Sequence, residues 1–371
     1  MTNPLLDPEA VSAERFDRLG AGVASLLETR LDVVLPQAEA VLPLEAAARG
    51  LGRPGLCALN LDTHPYGTTF GRWLAESGAR VIGLESPRNQ AVRPEAVEAA
   101  LRENPEISLV SFAHAEAATG VANDAAAISG LVREHGALLV IDLVASFGAN
   151  EVHLDDWGVD VAVLGPQKAL AGPAGISIAA LSTRAWQEMS GNSRAPRGSA
   201  LSLLDWKLGW LDSDRSAIPG TPSTLEILAL EAALERVQGE GLAKLMLRHR
   251  ASAAASRSGA RGLGLEPFAG DRDAALVATT LSAPVGLDAR LVVSRARASR
   301  PVALSPGFGD LGGHLVRIDH TGQRARIEVV LEALEALAIA LEETSPLSGS
   351  LAEALSAAER AWAAVELAAR S

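Results

Sequence analysis

The sequence predicts an α/β protein with a large three-layer domain, built on a mostly parallel sheet, and a smaller C-terminal α+β domain. Three observations support this. Short apolar runs alternate with amphipathic stretches from about residue 55 to 185, as expected for parallel strands buried on both faces. Beyond that, isolated apolar runs mix with long helical patterns. A chain of 371 residues also exceeds the size at which one core usually stops growing.

Six apolar runs in the first half are predicted to be strands. They are Cys57–Asp62, Arg80–Glu85, Ser108–His114, Leu138–Val144, Val159–Gly165 and Gly175–Ser182. Helices are predicted between them. One starts at Pro94, since proline suits the first helical turn, and another covers Asn123–His135. An Asn-Asp pair caps the start of the second helix, and Gly136 ends it.

The second half begins with a long helical pattern over Leu225–Ser256, which we expect to connect the two domains. We place these domains at residues 1–245 and 246–371. Three later runs are predicted to be strands, namely Ala274–Leu281, Leu291–Val293 and Leu315–Ile318. Helices are predicted over Arg324–Glu342 and Leu351–Ala369.

The composition argues against several classes of protein. A net charge of −12 argues against a nucleic-acid partner, because phosphate binding needs a basic face. The single cysteine, Cys57, allows neither an intrachain disulfide nor a cysteine-based zinc site, and we expect no metal. No apolar stretch approaches the roughly 20 residues of a membrane span. We therefore expect a soluble, cytoplasmic protein.

Lysine is rare in this chain, with 3 lysines against 30 arginines, so each lysine is informative. Lys168 follows the apolar run Val159–Leu164 after a Gly-Pro turn, which predicts a position at the mouth of the sheet. Desolvation there would lower the pKa of its amine and make it nucleophilic. The alternative is a solvated loop lysine, an interpretation that suits Lys207 and Lys244 better.

Asp142 ends the apolar run that starts at Leu138, and an acid there is costly unless it has a partner. Ligands of open α/β sheets bind at that end of the strands. The alternative is that Asp142 caps the next loop or pairs with an arginine. With Lys168 following 26 residues later, the pair suits vitamin B6 enzymes. In them a lysine forms a Schiff base with the aldehyde, and an aspartate keeps the pyridine nitrogen protonated.

Several segments carry a more specific signal than this pair. They are Ile141–Gly148, Asp155–Leu170, Gly172–Gly175, the strand-end motif His114–Gly120 and the arginine motif Gly312–Gly322. Taken in chain order, they resemble the class V aminotransferases, and within that family the alanine–glyoxylate (serine–pyruvate) transaminases. The resemblance covers roughly residues 30–345.

The resemblance implies a fold type I transferase that depends on pyridoxal 5'-phosphate and forms a homodimer with active sites shared across the interface. Lys168 would form the Schiff base and shuttle the proton, Asp142 would hold the pyridinium, and Arg317 would bind the substrate carboxylate. The other implied cofactor-binding residues are Tyr66, Ser146, Gln167, Thr119 and Thr221. Tyr66 would stack on the cofactor ring or else be a core aromatic, and Thr221 would reach the neighbouring subunit's site.

Glu39 departs from the family pattern. It lies in Gln37–Ala47, where ordinary members hold the cofactor phosphate, and a carboxylate would repel that phosphate. The pyridoxamine–pyruvate transaminase branch is similar here and also at Ala195–Trp206, and it uses free vitamin B6 as a substrate. The cofactor is therefore pyridoxal 5'-phosphate or unphosphorylated pyridoxal or pyridoxamine. The alternative is that Glu39 faces solvent or pairs with an arginine.

Two further departures affect the predicted substrate site. Phe308 stands where that branch has a second carboxylate-binding arginine, and Ile218 stands where an aromatic reaches in from the partner subunit. The second substrate is then either less polar or bound through Arg317 alone. His114 and Glu116 are expected to shape the pocket rather than to do chemistry.

The predicted function is a transaminase for a small amino acid and keto acid, such as alanine with pyruvate or glyoxylate. One alternative is a pyridoxal phosphate-dependent lyase or racemase on a small amino acid, because the same lysine serves those reactions. Another is a non-catalytic binding or regulatory protein of the same fold, which the altered phosphate site would suit. The intact pair of Lys168 and Asp142 argues against the latter.

Overall fold

The computed structural model describes residues 8–299, 301–342 and 348–370. The strands are β1 (Asp32–Val34), β2 (Cys57–Asp62), β3 (Arg80–Glu85), β4 (Leu109–Ala113), β5 (Ala115–Glu116), β6 (Val121–Ala122), β7 (Leu138–Asp142), β8 (Val161–Leu164), β9 (Ile178–Leu181), β10 (Thr279–Ser282), β11 (Leu304–Pro306) and β12 (Leu315–Ile318). The helices are α1 (Ala13–Leu26), α2 (Val41–Leu51), α3 (Tyr66–Glu76), α4 (Pro94–Glu103), α5 (Ala125–His135), α6 (Leu154–Trp157), α7 (Thr183–Gly191), α8 (Leu203–Trp206), α9 (Thr224–Glu240), α10 (Leu242–Gly262), α11 (Ala289–Ser299), α12 (Ile327–Glu342) and α13 (Leu351–Ala368).

The main sheet has seven strands in the order β1-β9-β8-β7-β4-β2-β3. The five strands from β8 to β3 run parallel, while β9 is antiparallel to both of its neighbours. Because the carboxyl ends of β7 and β8 meet at one edge, the loops that follow them open on the same side. The sheet therefore brings Asp142 and the loop carrying Lys168 to one edge.

Helices cover both faces of this sheet. Leu139 and Ile141 of β7 pack in a core that includes α1, α4, α5 and α9, whereas Leu138 and Val140 pack on the other side with α2, α3 and α7. Strand side chains alternate between faces, so the four successive apolar residues Leu138–Ile141 of β7 are what a doubly covered strand requires. The predicted three-layer α/β architecture is confirmed.

Helix α5 begins and ends close to the residues that its capping signals predict. The Asp124 side chain accepts a hydrogen bond from Ala127 N at 3.0 Å, and Gly136 ends the helix in the left-handed region at φ 83°. Glycine adopts that conformation without the steric cost of a Cβ. The end of α5 at Gly136 is followed closely by β7, whose last residue is Asp142.

The C-terminal part is a three-stranded antiparallel sheet, ordered β10-β12-β11, packed with helices α10 to α13. Two predictions here were wrong. Leu291–Val293 belongs to α11, because its short apolar run is one face of an amphipathic helix. The predicted connecting helix is broken into α9 and α10 at Gly241, whose φ is 87°.

A third predicted strand, Ala274–Leu281, was too long at its start. The observed strand β10 begins at Thr279 and ends at Ser282. Leu245 packs in the core of the main sheet, whereas Ala255 of the same helix packs in the smaller core. The division at residues 245 and 246 stays a prediction.

None of the described helices is both long and apolar enough to cross a membrane.

Candidate active site

Asp142 lies at the carboxyl end of β7, and only 8% of its surface is exposed. Its Oδ1 accepts a hydrogen bond from Val144 N at 2.8 Å. Burial raises its pKa to about 7, against the lowering effect of this bond, and Glu39 adds to the rise. A cationic group bound beside Asp142 would stabilise the ionised form of this buried carboxyl.

Lys168 lies in the loop after β8, as predicted, and is half-buried. Burial lowers the pKa of its amine, and the nearby Arg317 guanidinium lowers it further. Asp319, Glu39 and Asp142 act in the opposite direction. The net lowering increases the uncharged fraction of the amine, which is the form that attacks a carbonyl carbon.

Glu39 lies at the start of α2, where backbone N–H groups have no partner within the helix. Its Oε2 accepts a hydrogen bond from Val41 N at 2.8 Å, and its Oε1 accepts one from Gln167 Nε2 at the same distance. A carboxylate of the protein is therefore bound where a helix start would otherwise attract an external anion.

These side chains line one cavity of about 250 Å³. Its polar lining consists of Glu39, Tyr66, Asp142, Gln167 and Lys168. Its apolar lining consists of Ala40, Val41, Leu44, Ala115, Ala117, Val144 and Ala145. A small concave site with a few convergent polar groups is typical of a binding site for a small molecule.

Tyr66 begins α3 at the wall of this cavity and is 40% exposed. Glu116 Oε1 accepts hydrogen bonds from Tyr66 N at 2.9 Å and Gly67 N at 3.0 Å. Burial, together with the charge of Asp142, raises the pKa of Glu116 well above its usual range. Glu116 therefore does more than shape the pocket, because it fixes the backbone that carries Tyr66.

Arg317 lies on β12, and its Nε donates a hydrogen bond to Asp319 Oδ1. Asp319 Oδ2 accepts a hydrogen bond from Ser305 Oγ at 2.6 Å. Sequence reasoning singled out Arg317 but missed Asp319. The signal was present, because residues two apart on a strand point to the same face.

Other predicted cofactor contacts lie outside the lining of this cavity. Ser146 is fully buried, and its hydroxyl donates to Leu143 O at 3.3 Å. Thr119 is also buried, lines a neighbouring cavity of about 240 Å³, and its carbonyl accepts a hydrogen bond from Thr280 Oγ1. Their cofactor-binding roles stay predictions.

Three more predicted residues are separate from the cavity within this chain. Ile218 and Thr221 lie in the loop before α9, half-buried and exposed respectively. Phe308 follows β11 and is 56% exposed. All three would need a neighbouring subunit or a bound substrate to take part, so their roles stay predictions.

The other two lysines differ from Lys168. Lys207 Nζ lies 3.0 Å from Asp32 Oδ2 and 2.9 Å from Asp212 Oδ1. Burial opposes its charge, but the bonds to the two carboxylates outweigh that effect and raise its pKa. Lys244 is exposed on α10. Of the three lysines, the structure thus brings Lys168 alone to the cavity.

A mostly parallel sheet with a buried acid and a lysine of lowered pKa at its carboxyl edge is the arrangement of a fold type I transferase. Comparison with known proteins agrees. The model of the family Aminotransferase class-V matches residues 70–281. The pyridoxamine–pyruvate transaminase of Mesorhizobium japonicum is 39% identical over 305 residues, which are 82% of this chain and 77% of that protein.

Solved structures give the same result. Pyridoxamine–pyruvate aminotransferase from Mesorhizobium loti superposes with a TM-score of 0.91 at 33% identity, covering 97% of this chain and 93% of that one. Ureidoglycine–glyoxylate aminotransferase from Bacillus subtilis superposes with a TM-score of 0.88 at 25% identity, covering 97% and 94%. The chain belongs to the class V aminotransferases.

This family depends on pyridoxal 5'-phosphate, and the cavity fits the ring of that cofactor. The buried carboxyl of Asp142 suits a protonated pyridine nitrogen, and Lys168 suits the aldehyde. The buried Oε1 of Gln167 is without a hydrogen-bond partner among the described residues, so it remains available to a ligand. The fit is poorer for a phosphate, because Glu39 already occupies the start of α2.

Proposed function

We propose that this aminotransferase uses unphosphorylated vitamin B6, pyridoxal or pyridoxamine, as a substrate together with a small monocarboxylic keto acid such as pyruvate or glyoxylate. The observation that carries the proposal is Glu39, whose carboxylate is hydrogen-bonded to Val41 N and Gln167 Nε2. A phosphate ester placed there would meet a like charge and one backbone donor fewer. The free hydroxymethyl group carries no charge and can donate a hydrogen bond to that carboxylate.

The residues of the chain would divide the remaining work. Bound vitamin B6 supplies an electron-accepting ring that makes the substrate's Cα–H acidic. Lys168 Nζ would take a proton from one of two carbons and deliver it to the other, the two being the substrate Cα and the carbon of the vitamin that carries the amine. Asp142 would hold the ring nitrogen protonated, Tyr66 would cover the ring, and Arg317 would bind the carboxylate of the acid.

Binding titrations of the whole protein test this proposal. Pyridoxal and pyridoxamine are expected to bind more tightly than pyridoxal 5'-phosphate, and pyridoxamine with pyruvate or glyoxylate should yield pyridoxal and the matching amino acid. If the phosphate ester binds at least as tightly as the free aldehyde, Glu39 does not select against phosphate. A lyase would instead cleave an amino acid and a racemase would invert one, in both cases without aminating the vitamin, so product analysis separates these activities from transamination.

We also propose a homodimer with shared active sites. The loop that carries Ile218 and Thr221 is flanked in the chain by exposed leucines, Leu208, Leu225 and Leu228. Large apolar side chains that are exposed in one subunit favour a contact with another protein surface. The test mixes two inactive variants, one at Lys168 and one at Thr221. Recovered activity on mixing supports a shared site, whereas a monomer by light scattering would contradict it.

A further inference from the structure

Asp319 is bound on two sides by its neighbours in the small sheet. One carboxylate oxygen accepts a hydrogen bond from Arg317 Nε, and the other accepts one from Ser305 Oγ at 2.6 Å. Its backbone is fixed as well, because Asp319 N donates to Ala303 O at 2.8 Å. Ser305 and Arg317 are paired in register across β11 and β12, so all three side chains lie on one face.

This arrangement determines which part of Arg317 remains for a ligand. With Nε engaged by Asp319, a ligand can be met by the two Nη groups, which form no hydrogen bond with any residue that the structure describes. A guanidinium held along one edge loses less rotational freedom when it binds a carboxylate with the other. The pair Arg317 and Asp319 has no net charge, so it offers a directional contact rather than a strong general attraction for anions.

Asp319 also acts on the charge of Lys168, and the two segments are adjacent, because a Cβ on Gly322, three residues after Asp319, would meet Lys168 O at 2.9 Å. The charged and titratable groups that act on the Lys168 amine are Arg317, Asp319, Glu39 and Asp142, and the buried Glu116 also interacts with it. Arg317 disfavours the protonated amine, and Asp319 is the first of the three acids that favour it. Asp319 therefore offsets the Arg317 charge at the nucleophile.

We propose that Asp319 is a positioning residue with two effects: it orients Arg317 through Nε toward the substrate's carboxylate, and it balances the Arg317 charge at Lys168. The proposal rests on the proposed function only in that Arg317 meets a carboxylate. The effect on Lys168 concerns the protein without cofactor or substrate. The two effects can be measured separately.

The first experiment uses the small number of lysines. Protein labelled with ¹³C and ¹⁵N in lysine alone gives signals from 3 residues, which Lys207→Arg and Lys244→Arg assign. Asp319→Asn keeps an oxygen for Arg317 Nε but removes the charge. We expect the titration midpoint of Lys168, measured without cofactor, to fall, because the loss of a nearby negative charge disfavours the protonated amine.

Asp271→Asn is the matched control. Asp271 also pairs with an arginine, Arg257, at 2.7 Å, but it is not among the charges that act on Lys168. Its substitution should leave the Lys168 midpoint unchanged. Arg317→Gln should raise the midpoint, because it removes the opposing charge.

The second experiment separates orientation from charge by kinetics. Asp319→Ala removes both and should raise the KM for the carboxylate substrate by about tenfold or more, with little change in the KM for pyridoxamine. Ser305→Ala keeps the charge but loosens the carboxylate, so it should raise the same KM by a smaller factor. The Lys168 midpoint should stay near the wild-type value in Ser305→Ala.

Two outcomes would overturn the proposal. One is a Lys168 midpoint in Asp319→Asn that equals that of Asp271→Asn. The other is an unchanged KM for the carboxylate substrate in Asp319→Ala. Failure of the proposed function would look different, because the wild-type protein would then not aminate or deaminate free vitamin B6, while the Lys168 titration would still respond to Asp319.

Discussion

Glu39 Oε1 accepts a hydrogen bond from Gln167 Nε2 at 2.8 Å, so the acid at the start of α2 is joined to the residue directly before Lys168. The other oxygen of the same carboxylate, Oε2, accepts a hydrogen bond from Val41 N. The Glu39 side chain thus lies at the start of α2, where an anion would bind, and also contacts the loop that carries Lys168. Removing its charge should change which form of vitamin B6 the protein prefers.

Glu39→Gln is expected to tighten the binding of pyridoxal 5'-phosphate at least about tenfold, equivalent to ~1.4 kcal/mol, because a like charge is removed beside the phosphate. The affinity for pyridoxal should change much less. Equilibrium titrations of both ligands measure the effect. The control is Glu45→Gln on the same helix, whose side chain pairs with Arg49 at 3.0 Å. Equal changes in both variants would contradict a specific role for Glu39.

Lys168→Arg should abolish transamination, because arginine stays charged and neither attacks a carbonyl nor carries the proton. We expect a loss of at least about 10³-fold in kcat, within the range that general acid–base catalysis supplies. The absorption band of lysine-bound pyridoxal should disappear with it. Lys207→Arg keeps the charge between Asp32 and Asp212 and should retain activity. Residual turnover near the wild-type level in Lys168→Arg would mean that the nucleophile lies elsewhere.

Asp142→Asn should stabilise the cofactor-free protein at high pH while it weakens cofactor binding. The pKa of Asp142 is about 7 when folded, against 3.8 for an ordinary aspartate, so the folded state binds this proton more tightly. Its stabilising contribution is present below the lower value and is lost as the pH rises through about 7. Relative to Asp142→Asn, the wild-type free energy of unfolding should therefore fall over this window.

Chemical denaturation at a series of pH values measures that difference, which should amount to a few kcal/mol at pH 8. The asparagine can still accept the hydrogen bond from Val144 N, so the local geometry is retained. Parallel pH profiles for the two proteins would show that Asp142 does not titrate in this range. Weaker pyridoxal binding by the same variant would separate a functional role from a structural one.

Glu116→Ala should destabilise the protein by about 2 kcal/mol or more, because two N–H groups at the start of α3 lose their acceptor. Glu116→Gln keeps an acceptor oxygen and should be close to wild type. Tyr66 is the only tyrosine, so phenolate absorbance reports on it alone. Its pKa is raised by burial and by Glu39, Asp142 and Glu116.

The phenolate midpoint should fall in Glu116→Ala, since the released Tyr66 becomes more exposed to water. It should fall less in Glu116→Gln, because this variant removes the charge that helps to raise the Tyr66 pKa but keeps the acceptor for the backbone of Tyr66. A wild-type midpoint and wild-type stability in Glu116→Ala would mean that other contacts hold Tyr66 in place.

Local patterns predicted most of the large domain. Strands β2 and β3 have the predicted bounds, and α5 ends at the predicted residue, since burial on both faces and helix capping leave direct signals in sequence. The short strand Asp32–Val34 was not predicted. Its three residues are too few for a periodic signal, and it forms only because β9 offers an antiparallel edge.

The candidate site was predictable where side chains follow strand ends and not where distant segments meet. Lys168 and Asp142 were singled out by their positions after buried strands and by the family resemblance, and the structure places both at the cavity. The contact of Glu39 with Gln167 joins residues far apart in the chain, and the double role of Glu116 depends on where α3 begins. The contact of Asp319 with Arg317 could have been predicted. Arg317 was already singled out, and residues two apart along a strand point to the same face.

Under the proposed function, which brings a free aldehyde to the protein, the surroundings of Lys207 limit side reactions. Pyridoxal reacts with any unprotonated amine, and unwanted adducts would accumulate on exposed lysines at each encounter. Here the ammonium of Lys207 is clamped between Asp32 and Asp212, and arginine replaces lysine over most of the surface. The chain thus offers few sites for accidental modification, so a labelled aldehyde followed by borohydride would mark chiefly its own active site.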